Sequence, residues 1–245
     1  MKNIRLCVFG RRNVNGAWGI NPTRIVNRLY YVNSGKAIIS YAHHNYTLVG
    51  GKIYIIPQGH DFHTVDAVEF DHTFFDFYNS QILRHDTILE FDKTDLNSEA
   101  LFSHINSLIA SDQHKELRAE IEYFLCGYLS VLDKKYSLPY VSNSSVTEAV
   151  SLIHREPTAL STKLLAKTVN LDESYFIRLF SSVMGITPMK YIRACRIAYG
   201  KQLLQSGASV AEAAEKCGYA SASSFYNAMK SELHVSPIEF IKGDK

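Results

Sequence analysis

The chain has 245 residues, of which 46% are hydrophobic and 20% are charged, and its formal net charge is +2. This composition supplies enough apolar side chains for buried cores and excludes a disordered chain. The four cysteines show neither a C-x-x-C pair nor a metal-finger spacing, and no stretch approaches the roughly 18 apolar residues of a membrane span. We expect reduced thiols, no cofactor, no metal and no membrane contact, in a cytoplasmic protein.

The first half of the chain is predicted to be β-structure. Runs rich in tyrosine, isoleucine and valine alternate with turn signals such as Asn33-Ser34-Gly35 and Gly50-Gly51. The predicted strands are Arg28–Val32, Lys36–Tyr41, Lys52–Pro57 and His72–Tyr78. Short strands at about ten-residue spacing indicate a sandwich or a barrel.

Helical periodicity begins near residue 97 and predicts helices over residues 98–110 and 115–132. The second of them carries one apolar stripe, formed by Leu117, Ile121, Phe124, Leu125 and Tyr128. This stripe either packs against the barrel or pairs with a second copy of the chain. Residues 138–145 are rich in Pro, Ser and Asn and are predicted to be a linker between domains at 1–137 and 146–245.

The sequence after residue 160 contains an internal repeat. Ala166 and Ala214 lie 48 residues apart in matching contexts, and Asn170 matches Gly218 at the same offset. Each copy predicts a helix, a tight turn and a second helix, because the small alanine allows a close helix crossing and Asn or Gly tolerates a left-handed backbone. Two helix-turn-helix units are therefore expected.

Each unit is bounded by capping signals. Ser161 and Ser209 are candidate N-caps of the first helices, while Thr187-Pro188 and Ser236-Pro237 follow the second helices. Thr187-Pro188 is predicted to open a helix that extends to Gln205. Its ~19 residues would span about 29 Å, close to the ~34 Å of one turn of B-DNA.

Residues 146–242 resemble the DNA-binding domain of the AraC/XylS family of bacterial regulators. The matching residues are Leu165-Ala166, Ser174, Arg178, Phe180, Gly185, Thr187-Pro188, Tyr191, Arg196-Ile197, Leu203-Leu204, Ala214, Gly218-Tyr219, Ser224-Phe225, Lys230, Ser236-Pro237 and Phe240. The chain departs from the family at Asn227, where many relatives have Arg, and at Met229, where they have Phe. Gly200 replaces a usual alanine and is expected to soften the linker helix by about 1 kcal/mol.

Residues off the apolar stripes of the two second helices are candidates for DNA contact. They are Glu173, Ser174, Ile177 and Arg178 in the first unit, and Ala222, Ser223, Tyr226 and Asn227 in the second. Arginine can pair bidentately with guanine and asparagine with adenine, so the first unit is expected to recognise sequence and the second mostly to position the protein. Arg193 and Lys230 are candidate phosphate contacts.

Three of these assignments have plain alternatives. Arg178 and Glu173 can be ordinary solvated charges, and Tyr226 can be a half-buried surface tyrosine. Arg196, another candidate for phosphate contact, is more readily explained by an internal salt bridge.

Residues 28–78 resemble the cupin-like effector domain of the same family, on the pattern Leu29-Tyr30-Tyr31-Val32, Gly35, Gly51, Tyr54-Ile55-Ile56-Pro57, Gly59 and His63. The fold expected from both resemblances is α+β and multidomain. It comprises a cupin-like β-barrel with two helices and an all-α domain with two helix-turn-helix units joined by a long linker helix. The predicted effector pocket holds a small molecule, with a sugar as the candidate, among Trp18, Arg24, Tyr30, His63 and Phe75.

The resemblance implies a non-enzymatic transcriptional regulator, expected to be an activator that contacts a DNA operator and RNA polymerase as a homodimer. Two alternatives stay open. A metal-dependent cupin enzyme would need a cluster of histidines and acids, for which His60, His63 and the adjacent pair His43-His44 are the available residues. A regulator without an effector, which dimerises through its middle helices, is the other.

Overall fold

The computed structural model describes residues 4–17, 25–79, 82–83, 86–94, 98–111, 118–233 and 235–243. Two compact units divide the chain, Met1–Tyr140 and Val141–Lys245. The first is an antiparallel β-sheet unit with helices and the second is entirely helical, so the predicted α+β multidomain fold is confirmed. No helix in the described part of the chain combines the length and the apolar character needed to cross a membrane.

One antiparallel sheet organises the first unit. Its described strands are β1 (Ile4–Val14), β2 (Asn27–Tyr41), β3 (His44–Val49), β4 (Lys52–Ile56), β5 (Phe62–Asn79) and β6 (Leu89–Asp92). They follow the order β1-β5-β2-β4-β6, and β3 pairs with β2. The long strands β2 and β5 form the centre, where Arg28 lies opposite Asp76 and Tyr30 lies opposite Phe74.

The two faces of this sheet bury separate clusters because successive side chains of a strand point to opposite sides. The outer face includes Leu29, Tyr31 and Phe75 and is covered by two helices, α1 (Ser98–Ala110) and α2 (Arg118–Tyr136). The inner face consists almost wholly of strand residues, listed here: Tyr30, Val32, Ala37, Ile39, Tyr41, Leu48, Tyr54, Ile56, Phe62, Ala67, Phe70 and Phe74. Among the described residues, no helix contributes to this cluster, and its partly buried neighbours lie on strands or in the loops beside them.

Helix α2 packs on the outer face through its apolar stripe, for which the sequence allowed either packing on the barrel or pairing with a second copy. Ile121 and Leu125 are fully buried and Tyr128 nearly so, and the Tyr128 hydroxyl lies 3.0 Å from the buried Ser98 Oγ. Of the two alternatives, packing on the sheet is therefore the one observed for these residues. Leu117 lies outside the described residues.

The predicted turn at Asn33-Ser34-Gly35 is a bulge within one continuous strand. The register between β2 and β5 shifts on both sides of Ser34. Gly35 has φ of +74°, and a Cβ at this position would overlap the carbonyl of Glu69. Glycine is thus required where the bulged strand passes close to its neighbour. In the sequence, a glycine in a bulge looks the same as a glycine in a turn, which is why a turn was predicted.

The second unit contains seven described helices. They are α3 (Ser144–Arg155), α4 (Thr162–Thr168), α5 (Glu173–Met184), α6 (Pro188–Gln205), α7 (Val210–Lys216), α8 (Ala222–Leu233) and α9 (Pro237–Gly243). Helix α3 begins at Ser144, inside the segment predicted to be a linker, because the Asn143 side chain accepts a hydrogen bond from the Val146 amide and caps it. The 18 residues of α6 form the predicted long helix.

Candidate nucleic-acid interface

The two helix-turn-helix units share one turn geometry. In the first, the Leu171 amide donates to the Ala166 carbonyl across 2.9 Å, and in the second the Tyr219 amide donates to the Ala214 carbonyl at the same distance. Asn170, between them in the first unit, adopts φ of +56°. Both alanines are buried, as the predicted close helix crossing requires.

Helix α5 presents the predicted contact residues of the first helix-turn-helix unit. Asp172 caps it by accepting from the Tyr175 amide at 3.1 Å, and Phe176 and Phe180 bury the opposite side. The predicted contact residues Glu173, Ser174 and Arg178 are exposed, while Ile177 is half-buried. Arg178 makes no hydrogen bond or ion pair with any residue that the structure describes, so its five donors are available to a ligand.

Helix α8 presents the second set in the same way. Ser221 and Ser224 cap its first turn through reciprocal bonds from their amides to each other's hydroxyls, both at 3.1 Å. The buried side is formed by Phe225, Ala228 and Met229. The predicted contact residues are all exposed: Ala222, Ser223, Tyr226 and Asn227.

Two predicted phosphate contacts are already paired within the unit. Arg193 Nε lies 3.1 Å from a carboxylate oxygen of Glu232, and Lys230 Nζ lies 3.3 Å from one of Glu239. The Ser236 amide also donates to Glu239, and this bond, with the Ser236 hydroxyl and Lys230, lowers the pKa of Glu239 to about 2. Both cations must therefore exchange or share a carboxylate partner when they approach a phosphate.

Arg196 is a structural residue of this unit. Its Nε donates to the Pro157 carbonyl at 2.8 Å and its Nη2 to the Thr158 carbonyl at 2.9 Å. The sequence favoured an internal salt bridge here, but the partners are backbone carbonyls of the connection between α3 and α4. The planar guanidinium thus fixes that connection to α6.

Of the five residues predicted to form an effector pocket, the three that the structure describes, Tyr30, His63 and Phe75, are not brought together. Phe75 faces the helices α1 and α2, on the opposite side of the sheet from Tyr30, because odd and even positions of the strands point to different faces. His63 is exposed. Trp18 and Arg24 lie outside the described residues.

A polar cluster on the inner face surrounds Tyr30 instead. Arg28 forms a bidentate ion pair with Asp76 at 2.5 and 2.6 Å and also donates to the Tyr30 hydroxyl at 3.1 Å. Burial alone would lower the pKa of Arg28, but the Asp76 carboxylate outweighs burial and the pKa is raised. Nearby His72 is buried, which lowers its pKa to about 4. The sequence did signal this cluster, because Arg28 and Asp76 are each a single charged residue in an otherwise largely apolar predicted strand.

Thr64 is an unusual residue on the inner face of the β-sheet unit. Its side chain is 6% exposed, and its hydroxyl has no hydrogen-bond partner among the residues that the structure describes. Among those same residues, no three His, Cys, Asp or Glu side chains lie together as a metal site would require.

These features define a class of protein: a double helix-turn-helix DNA-binding protein with a separate β-sheet unit. Residues 165–243 match the family model described as a helix-turn-helix domain. That match lies wholly within the second, helical part of the chain, which is similar to the DNA-binding domain of the AraC/XylS family of transcriptional regulators.

Two relatives align over most of the chain. The Msm operon regulatory protein of Streptococcus mutans is 24% identical and covers 96% of this chain and 91% of its own length. The lactose operon transcription activator of Staphylococcus xylosus is 22% identical and covers 86% of this chain and 82% of its own length. Both names describe operon regulation.

Solved structures agree with the two-unit fold. ToxT of Vibrio cholerae superimposes with a TM-score of 0.69 at 15% identity, covering 98% of each chain. A second ToxT structure, which contains an unsaturated fatty acid, gives a TM-score of 0.65 at 17% identity and covers 98% of this chain and 94% of that one. At this level of identity the likeness concerns the fold.

Proposed function

We propose that this regulator places α5 and α8 in successive major-groove segments of one operator. The observation that carries the proposal is the shared turn geometry, which leaves both helices capped, buried on one side and exposed on the other. Helix α6 joins the two helix-turn-helix units with 18 residues, or about 27 Å at 1.5 Å per residue. That length suits two reading helices about one DNA turn apart.

Base recognition is assigned mainly to α5. Arg178 has no partner among the described residues and can donate two bonds to the O6 and N7 atoms of guanine. Its neighbours Glu173, Ser174 and Ile177 lie on the same contact surface. On α8, Asn227 can pair with adenine, while Ala222, Ser223 and Tyr226 offer methyl and hydroxyl groups that suit positioning more than recognition.

A binding titration tests this function. Full-length protein is titrated by fluorescence anisotropy, at one fixed salt concentration, against duplexes tiled over the DNA that flanks its gene. We expect one duplex to bind at least about 1,000-fold more tightly than a scrambled duplex of the same length and composition. Equal affinity for all duplexes would contradict a sequence-specific regulator.

We further propose that a small effector binds on the inner face of the sheet unit. Support comes from the concentration of polar groups there: the Arg28–Asp76 pair, the Tyr30 hydroxyl and the unpartnered Thr64 hydroxyl. Alternating aromatic rings and paired donors and acceptors suit a polyol, since rings stack on a sugar and the ion pair supplies both donors and acceptors. Regulation follows if the effector binds two states of the chain unequally.

Calorimetry distinguishes the candidate effectors. Lactose, glucose and oleate are titrated into the wild type and into Asp76→Asn, which keeps the shape of the side chain but removes its charge. Heat from a sugar that the variant loses supports the carbohydrate proposal. Binding of oleate alone would assign an apolar effector, and identical operator affinity with and without the bound molecule would end the regulatory proposal.

The finer partner assignments rest on exposed surface. We propose a homodimer in which the outward side of α2 pairs between copies, because Tyr123 is 69% exposed and Val131 is 46% exposed on the side away from the sheet. Activation would then proceed through contact with RNA polymerase in the cytoplasm. Light scattering of the wild type and Tyr123→Glu checks the dimer: a monomeric wild type contradicts it.

We propose that the chain acts without catalysis. The rival, a metal-dependent cupin enzyme, gains no support from its candidate histidines: His43 and His63 are exposed, and His60 lies 2.9 Å from the Asp86 carboxylate. Elemental analysis of purified protein decides between these functions. Stoichiometric iron, zinc or manganese would favour the enzyme.

A further inference from the structure

A cavity of about 700 Å³ lies between α6 and α8 in the DNA-binding unit. Its apolar lining includes Met189, Ile192 and Ala228, and its polar lining includes Arg193, Arg196 and Tyr219. Cavities of roughly 300–1,000 Å³ with apolar walls and a few convergent polar groups are typical of small-molecule sites. Two of its lining residues, Arg193 and Asn227, also belong to the proposed DNA-contact set.

Tyr219 provides an independent sign of a ligand. Its hydroxyl is buried and has no hydrogen-bond partner among the residues that the structure describes. Burial raises the pKa of Tyr219 to about 12, so the group keeps its proton at neutral pH and remains a donor. A buried donor without an acceptor is disfavoured in folded proteins, and a ligand acceptor would satisfy it.

The charge around this hydroxyl favours a negative acceptor. Arg193 and Arg196 line the cavity and the Glu232 carboxylate pairs with Arg193, which leaves one net positive charge beside it. Arg196 already donates from Nε and Nη2 to backbone carbonyls, and Arg193 donates from Nε to Glu232, so each guanidinium retains further donors. The apolar lining, by contrast, is unsuited to a phosphate diester.

We propose that this cavity binds a small apolar carboxylate, with its acid group at Tyr219 and Arg193 and its apolar body against Met189 and Ile192. Asn227 also lines the cavity, and it belongs to the proposed DNA-contact set. A bound molecule therefore opposes operator binding and gives the DNA-binding unit a regulatory input of its own. The regulatory consequence rests on the proposed function, whereas the binding itself does not.

Naphthalene-1-carboxylate is a suitable probe because it is an apolar monoacid with its own fluorescence. It is titrated into the full chain beside its neutral amide and the cation naphthalene-1-methylamine. We expect a dissociation constant on the order of 100 µM for the acid. The amide should bind about tenfold more weakly, and the cation should show no saturable binding.

Tyr219→Phe is the decisive variant because it removes only the unpartnered hydroxyl. We expect about tenfold weaker binding of the acid together with an unchanged or higher melting temperature. Tyr136→Phe, the same change at an exposed tyrosine of the other unit, is the matched control and should bind the acid like the wild type. Loss of affinity through general destabilisation would instead lower the melting temperature.

Each further outcome decides the proposal. Absence of saturable binding, or equal affinity in the wild type and Tyr219→Phe, overturns it. If the acid does not bind but Tyr219→Phe weakens duplex binding, the cavity contacts the DNA backbone instead. If the acid binds while every duplex is ignored, this site stands and the proposed DNA function fails. If a duplex binds while the acid does not, the proposed DNA function stands and this site fails.

Discussion

Gly200 and Phe225 are packed so closely that no larger residue fits at position 200. A Cβ built on Gly200 would lie 2.5 Å from Cζ of Phe225 and 3.3 Å from Sγ of Cys217. Gly200 lies in the second half of α6, and Phe225 lies in the first turn of α8, where it is fully buried. The glycine that the sequence marks as a weak point of the linker helix is thus where the second unit docks on it.

Gly200→Ala should therefore destabilise the protein, against the usual effect of this change in a helix. The alanine gains about 1 kcal/mol of helix propensity, but overpacking of a rigid core costs about 1–3 kcal/mol. We expect a lower melting temperature by calorimetry, and Phe225→Leu in the same chain should restore part of the loss.

Gly127→Ala is the matched control for this substitution. Gly127 lies within α2, and a Cβ there meets no atom within 4 Å. This alanine should stabilise by roughly 0.5–1 kcal/mol. If both variants shifted stability in the same direction, the packing explanation of Gly200 would be wrong.

Arg178→Ala should weaken operator binding by about 1–3 kcal/mol and reduce discrimination at one base position. The reason is that the guanidinium is exposed and uncommitted among the described residues. Gel-shift titration at fixed salt, with operator and scrambled duplexes, measures the change. Unchanged affinity would remove Arg178 from the contact set.

Lys230→Ala should behave differently, because a phosphate contact carries no sequence information. We expect a similar loss on the operator and on the scrambled duplex, with the slope of log affinity against log salt reduced by about 1. The partner Glu239 competes for this lysine in the free protein, so its loss should be smaller than that of Arg178. A loss confined to the operator would assign Lys230 a base contact.

Arg196→Lys should destabilise the DNA-binding unit, although the charge is retained. Lysine cannot reproduce the two bonds that the guanidinium makes to the Pro157 and Thr158 carbonyls. A bond between a charged and a neutral group contributes about 1.5–3 kcal/mol, and hydrogen exchange of the α3–α4 connection should accelerate. Normal stability with weakened DNA binding would show that Arg196 contacts phosphate instead.

Stability of the sheet unit should decrease in mild acid because of His72. Burial lowers the pKa of His72 from 6.5 to about 4, so the unfolded chain takes up this proton first as the pH falls. The contribution is complete above pH 6.5, is lost between pH 6.5 and about 4, and changes no further below that. The free energy of unfolding should fall by up to about 3 kcal/mol over this range.

Urea unfolding across this pH range, for the wild type and His72→Gln, isolates the effect from the carboxylates that titrate nearby. The stability difference between the two proteins should narrow as the solution becomes more acidic. A difference that is independent of pH would contradict a buried neutral histidine.

The helix-turn-helix units could be predicted because their signals are local. A capping serine, a small residue four or five positions later and a left-handed turn residue lie within one short window, and the window occurs twice. Ser161, Ser209, Asn170 and Gly218 all take the predicted roles. Helix α6 was predicted from its Thr187-Pro188 start for the same reason.

The effector pocket could not be assembled from sequence, because the face of a strand depends on register over long distances. Bulges near Ser34 and Ile38 shift the pairing of β2 with β5. A residue count along the strand therefore does not say that Phe75 and Tyr30 lie on opposite faces. Strand β1 was missed because its arginines, such as Arg11 and Arg12, conceal the apolar alternation.

The central claim is that two helices of one chain occupy successive major-groove segments. Methylation interference at guanine N7, with full-length protein and its operator, tests it most directly. For each bound copy of the chain we expect interference in two segments about one helical turn apart, and Arg178→Ala should abolish it in one of the two only. Interference confined to a single segment, or a pattern that the variant leaves unchanged, would contradict this account.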